Sequence, residues 1–100
     1  KMMILSEYIE NIHNVNNEYS LLFVKKINGQ FLRDSEITII DISDEENNIM
    51  ANRIEALKSL GFDYFLETFL IKEIFEDLSA NFSDADQIIN HIISYAENDA

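Results

Sequence analysis

The chain has 100 residues, and its 7 Lys plus Arg against 19 Asp plus Glu give a formal net charge of −12. That length holds a single hydrophobic core; with 47% hydrophobic residues, 7 Phe and 4 Tyr, the composition argues against intrinsic disorder in spite of the charge. Lack of Cys excludes disulfides, thiol nucleophiles and cysteine-ligated metals, and the acidity excludes conventional phosphate-backbone binding, which relies on Lys and Arg.

In chain order, residues 4–14 place Leu5, Tyr8, Ile9 and Ile12 at the i, i+3, i+4, i+7 spacing of one helical face. Asn14, Asn16 and Asn17 then interrupt the pattern. The apolar run Ser20 to Ile27 is short enough for a strand, and Asn28-Gly29 favours the two positive φ angles of a type I′ hairpin turn. Gln30 to Arg33 is then the expected return arm. Ile37, Thr38, Ile39, Ile40 and Ile42 are all β-branched, which suits a central strand buried on both faces.

Asp44, Glu45, Glu46, Asn47 and Asn48 read as a loop and helix start, where carboxylates suit the positive end of the helix dipole. Met50, Ile54 and Leu57 form the next stripe, and Gly61 is the expected left-handed cap. Phe62 to Leu66 reads as an aromatic strand. Strand, helix and strand over residues 36–66 predict a parallel crossover unit, right-handed by general rule. Thr68 is the expected N-cap of a helix carrying Ile71, Ile74, Phe75 and Leu78. Ser83 or Asp84 caps a last helix, Asp84-x-x-Gln87 having capping-box spacing, with Ile88, Ile89, Ile92 and Ile93 on its buried face between Ala85 and Ala96. The expected fold is one α/β (α+β) domain over residues 1–100, with about four helices around a small three- or four-stranded mixed sheet.

Lys1 stands before two methionines and reads as an added residue, with Met2 or Met3 as the natural start. The apolar run Met2 to Leu5 is much shorter than a signal-peptide core, and no window approaches the roughly 18–20 apolar residues that span a bilayer. The expected location is cytoplasmic.

Charge distribution leans towards function more than any other feature. Six carboxylates (Asp34, Glu36, Asp41, Asp44, Glu45, Glu46) fall between residues 34 and 46 with no Lys or Arg among them. Seven more (Glu73, Glu76, Asp77, Asp84, Asp86, Glu97, Asp99) follow from residue 73 onward, again without Lys or Arg. Such groups cannot neutralise one another through local i,i+4 pairs. They project a negative field that accelerates encounter with a basic partner; the plainer reading is a solvated surface that keeps a small protein soluble.

Other chemistries find little support. Counted from Asp41, a calcium loop would need Gly at its sixth position and Glu at its twelfth, where the chain has Glu46 and Asn52, so no metal site is assigned. His13 and His91 can each serve acid–base catalysis beside a carboxylate, but both sit next to helical stripe residues and read as boundary positions. Asp63 and Glu67 are a possible carboxylate pair. There is no nucleophile elbow, glycine-rich phosphate loop or zinc motif, and Gly29 and Gly61 are both accounted for by turns, so no catalytic residue and no cofactor is expected. Phe62, Tyr64, Phe65 and Phe69 read chiefly as core, with Tyr64 the member best placed to reach a surface. The Asn81-Phe82-Ser83 sequon carries no meaning in a cytoplasmic chain.

Several of these features together resemble a known family. Leu5-Ser6-Glu7 with Ile12, Leu32 with Asp34-Ser35 and Asp41, Gly61, Tyr64-Phe65-Leu66, and Tyr95 with Asn98-Asp99-Ala100 look like the small acidic bacterial immunity proteins of polymorphic toxin systems, contact-dependent growth inhibition included. The chain departs from that pattern in having no Pro and no Trp. The resemblance implies a non-enzymatic partner that neutralises a cognate secreted toxin domain in the cytoplasm, often a ribonuclease or other nuclease; the acidity and the lack of a long apolar span add the expectation that it binds neither nucleic acid directly nor a membrane. It supplies no catalytic residue.

The chemistry of a nuclease agrees with that implication. A cleft built for phosphates is lined with Lys, Arg or His, and carboxylates can stand in for phosphate through charge-assisted hydrogen bonds. The expected contacts are Asp34, Glu36, Asp41, Asp44, Glu45 and Glu46, with Tyr64 as an aromatic contact and Glu73, Glu76 and Asp77, then Asp84 and Asp86, as a second acidic face. Two other readings remain: a phage-type nucleic-acid mimic that inhibits a host nuclease or DNA-binding enzyme, and a small hydrolase or nucleotide-binding enzyme with His13 or His91 in a pocket beside a carboxylate.

Overall fold

In the computed structural model, which describes residues 3–15, 19–42 and 47–99 (the side chains of 47, 48 and 99 excepted), Asn28 and Gly29 take φ values of 53° and 78°. The Ile27 N–H donates to the Gln30 carbonyl at 2.9 Å and the Gln30 N–H returns to Ile27 at 3.1 Å, closing the tight turn that Asn-Gly predicts. The expected return arm does not form a strand. Phe31 leaves the ladder for the core, where its ring meets Phe65 edge-on at 5.1 Å. Ser35, fully buried, then accepts the Leu32 N–H at 2.9 Å and turns the chain back towards the sheet.

Three strands follow, β1 (Ser20–Lys25), β2 (Ile37–Asp41) and β3 (Phe62–Glu67), in the spatial order β2-β1-β3 with both pairings antiparallel. The isoleucine-rich segment expected at the centre is therefore an edge strand, and β1 occupies the middle. Both segments read as continuous apolar runs, so composition alone does not rank them. Connectivity does: α2 (Asn47–Ser59) carries the chain from β2 across β1 to its far side. The crossover does join two strands that run the same way, but β1 lies between them. A bulge in the β1–β3 pairing sets Leu22 opposite Leu66 and Phe23 opposite Tyr64, which leaves Phe65 over. Phe65 and Leu66 both enter the same core as a result.

Helices cover both faces of the sheet. On one face Met50, Ile54 and Leu57 of α2 pack with Phe23, Ile40 and Phe62. On the other, α1 (Leu5–Glu10), α3 (Thr68–Ser79) and α4 (Ala85–Asp99) enclose the larger core around Leu22, Val24, Phe65, Ile71, Ile89 and Ile92. Each such side chain contributes on the order of 1.5–3 kcal/mol by leaving water. The predicted face Leu5, Tyr8, Ile9 and Ile12 is buried throughout, although the first helix is shorter than its periodicity suggests. Asn11 explains the break: its side chain takes the Glu7 carbonyl at 2.9 Å, and a 3-10 turn at Ile12–Asn14 follows.

Two caps separate expectation from outcome. Asp84 Oδ1 accepts the Asp86 N–H at 3.0 Å and caps α4 as predicted. Thr68 does not cap α3; Glu67 holds that position without a side-chain bond, while Thr68 is buried inside the first turn and accepts the Tyr8 hydroxyl at 3.1 Å. Gly61 takes φ 93° as expected for the chain reversal after α2.

Candidate functional site

Among the described residues, the carboxylates predicted around β2 do not form one cluster. Asp34 and Glu36 precede β2 and Asp41 closes it, so Glu36 and Asp41 are separated by about 16 Å of extended chain. Asp34 and Asp41 are exposed, while Glu36 is half-buried and pairs by a backbone bridge with Ile4. Asp44, Glu45 and Glu46 lie outside the described residues.

Glu73, Glu76 and Asp77 do come together. With Phe69 they fall at i, i+4, i+7 and i+8 on α3 and form its outward stripe, all exposed. Glu76 Oε1 is 3.7 Å from His13 Nδ1, and the His13 ring stands edge-on to Phe75 at 5.3 Å. The stripe starts at the end of the sheet that also bears Asp41, because α3 follows β3 directly, Glu67 pairs with Leu21, and Asp41 pairs with Ser20.

Several other carboxylates are engaged in the fold. Asp86 Oδ1 receives Arg33 Nη2 at 2.7 Å, and Glu97 Oε2 accepts the Phe31 N–H at 3.2 Å. Asp84 is occupied as the α4 cap. Asp63 is 3.4 Å from Lys26 Nζ and sits at the opposite end of β3 from Glu67, so the Asp63–Glu67 carboxylate pair does not form. The partners of Asp86, Glu97 and Asp63 are distant in sequence, which is why local spacing gives no sign of them.

Of the aromatic run, Phe62 and Phe65 are core as expected, and Tyr64 is half-buried, edge-on to Phe23 at 6.0 Å. Burial pushes the Tyr64 phenol up, the Glu67 charge adds to this, and a backbone hydrogen bond at Glu67 opposes it. Phe69 departs from the core reading, being 47% exposed.

Tyr64 helps line a cavity of about 530 Å³ beside the Asn28-Gly29 turn, together with Lys26, Phe31, Asp63 and Glu97. Its charged groups are already joined to neighbours: Lys26 lies over the Phe31 ring at 5.0 Å as well as beside Asp63. At the other end of the sheet a cavity of about 300 Å³ is lined by Tyr19, Ser20, Ile42, Glu67 and Phe69. Tyr19 is 70% exposed, and Ser20 Oγ is buried with no hydrogen-bond partner among the described residues. Of these five only Glu67 and Phe69 stand out in the sequence; the remaining signal is a Tyr beside a buried strand start, too common a pattern to mark a site.

His91 is exposed and stacks at a tilt on Phe82, 4.9 Å away, and neither histidine lines either cavity. Among the described residues no three His, Asp or Glu side chains converge to hold a metal ion, and no helix is long and apolar enough to cross a membrane. Compared with known proteins, the chain matches no family model, no curated protein and no solved structure.

Proposed function

We propose that this protein is an immunity-type inhibitor that binds a basic toxin domain, a ribonuclease or other nuclease, in the cytoplasm, and acts by occupying the toxin surface rather than by catalysis. The carrying observation is the exposed stripe Glu73, Glu76 and Asp77, in a chain whose net charge is −12 and whose last 28 residues contain no Lys or Arg. Asp41 and Glu67 add negative charge at the end of the sheet where the stripe begins. A surface of this kind attracts a phosphate-binding cleft over long range and meets its Lys and Arg with carboxylates. The resemblance to immunity proteins of polymorphic toxin systems supports the same reading.

The decisive experiment is to co-express the chain with the toxin module encoded beside its gene, purify the complex, and measure residual nuclease activity. Stoichiometric binding with loss of toxin activity is expected. A neighbouring product that neither binds nor is inhibited overturns the proposal, as does turnover of a substrate by the purified protein alone.

A further inference from the structure

We propose that the groove where β1 begins and β2 and β3 end seats one arginine side chain of the partner. This rests on the inhibitor reading and specifies its anchor. Two exposed rings, Tyr19 and Phe69, border the groove, and among the described residues neither packs on another aromatic ring or beneath a cation. Glu67, an exposed carboxylate residue, lines the same groove and has no ion-pair partner among the described residues. Ser20 adds a buried hydroxyl oxygen that has no hydrogen-bond partner among the described residues, a condition that buried polar atoms rarely sustain.

These groups define the occupant. The faces of the rings attract a cation, the carboxylate accepts charge-assisted hydrogen bonds, and the serine oxygen can take one more N–H. A guanidinium is flat, weakly hydrated and carries five donors, so it can stack and bond at once; an ammonium is a compact, strongly hydrated point charge. An apolar side chain would bury Glu67 and Ser20 without answering either. At about 300 Å³ the groove lies at the bottom of the range for small-molecule sites, which suits one side chain. Phe69 also begins the stripe of Glu73, Glu76 and Asp77, so an aromatic centre carries an acidic rim, the usual anatomy of an interface anchor.

The test has two arms. In the first, the ¹⁵N-labelled protein is titrated with N-acetyl-argininamide and, separately, with the neutral isostere N-acetyl-citrullinamide. Amide shifts confined to Tyr19, Ser20, Ile42, Glu67 and Phe69 are expected with the arginine probe, with far smaller shifts from citrulline, and they should disappear in Phe69→Ala and Glu67→Gln. Equal shifts from both probes, shifts spread along Glu73–Asp77, or none at these five positions overturn the groove. In the second arm the same variants, whose altered side chains are exposed and whose melting temperatures should match the wild type, are measured against the toxin domain, where each should weaken binding about tenfold. If the wild type binds the toxin and both variants bind as tightly, the groove proposal falls and the inhibitor reading stands. If the wild type binds no toxin while the arginine probe still localises, the inhibitor reading falls and the groove stands.

Discussion

The Tyr8 hydroxyl donates to Thr68 Oγ1 at 3.1 Å, joining α1 to the first turn of α3 through the buried core. Tyr8→Phe removes this bond while keeping the ring. The expected cost is about 1 kcal/mol, a fall of about 5 °C in melting temperature for a domain of this size, measurable by calorimetry. An unchanged melting temperature would show that the bond contributes nothing net.

The same phenol makes stability depend on alkaline pH. Burial raises the Tyr8 pKa above its ordinary 10.0, with the Thr68 bond opposing the shift. Above that ordinary value the unfolded chain has lost the proton while the folded chain keeps it, so the unfolded state binds fewer protons and stability falls as pH rises. The contribution is complete below the unfolded pKa and is lost as pH climbs through the folded one. Tyr64 is shifted the same way and stays in the variant. The stability gap between wild type and Tyr8→Phe should therefore narrow between about pH 9 and about pH 11 in urea titrations; a gap that stays constant or widens contradicts the shift.

Gly29 and Gly61 hold φ values of 78° and 93°, a region that costs an L side chain about 1–2 kcal/mol. An added Cβ meets nothing within 4 Å at Gly29 and only ordinary contact with Lys25 Cε, at 3.6 Å, at Gly61. Both Gly→Ala variants should lose stability through backbone strain alone, whereas Asn28→Gly, already at φ 53°, should be near neutral. Chemical denaturation of the three variants checks this, and a fully stable Gly29→Ala would refute the strain account.

Arg33 and Asp86 meet at 2.7 Å with side chains 39% and 62% exposed. Solvent screens such a pair, so a double-mutant cycle with Arg33→Gln and Asp86→Asn should give a coupling of about 0.5 kcal/mol, declining in high salt. A coupling that persists in concentrated salt would mean the pair is better shielded than its exposure indicates.

Association with the toxin domain should depend most on α3. Glu73→Gln, Glu76→Gln and Asp77→Asn combined should slow association by about tenfold at low ionic strength and by much less near physiological salt. Asp34→Asn with Glu36→Gln, at the far end of β2, should have a smaller effect. Stopped-flow measurements across a salt series separate the two faces, and equal effects from both would argue for a diffuse field without a preferred surface.

The helical stripes are legible in the sequence, since Leu5, Tyr8, Ile9 and Ile12, like Ile88, Ile89 and Ile92, repeat with the period of a helix and are all buried. The same holds for Asn28-Gly29 and Gly61, where backbone sterics act on one or two residues. Ile37–Ile42 and Thr68 resist such reading for the opposite reason. Whether a β-branched run is central depends on what pairs on each side, and whether a threonine caps or is buried depends on which helix lands beside it. The site is less legible still: Glu73, Glu76 and Asp77 are visible as spacing on one helix, while Asp86 and Glu97 give no sign that Arg33 and the Phe31 amide claim them.

Short-range chemistry thus decided the helical stripes, the turn geometry and the surplus of negative charge, because each follows from neighbours within a few positions or from a simple sum over the chain. Folding in three dimensions decided that β1 is the middle strand, which carboxylates the fold itself engages, and that Tyr19, Ser20, Ile42, Glu67 and Phe69 share one groove. Such encounters depend on the path the chain takes between its ends, and no local pattern encodes that path.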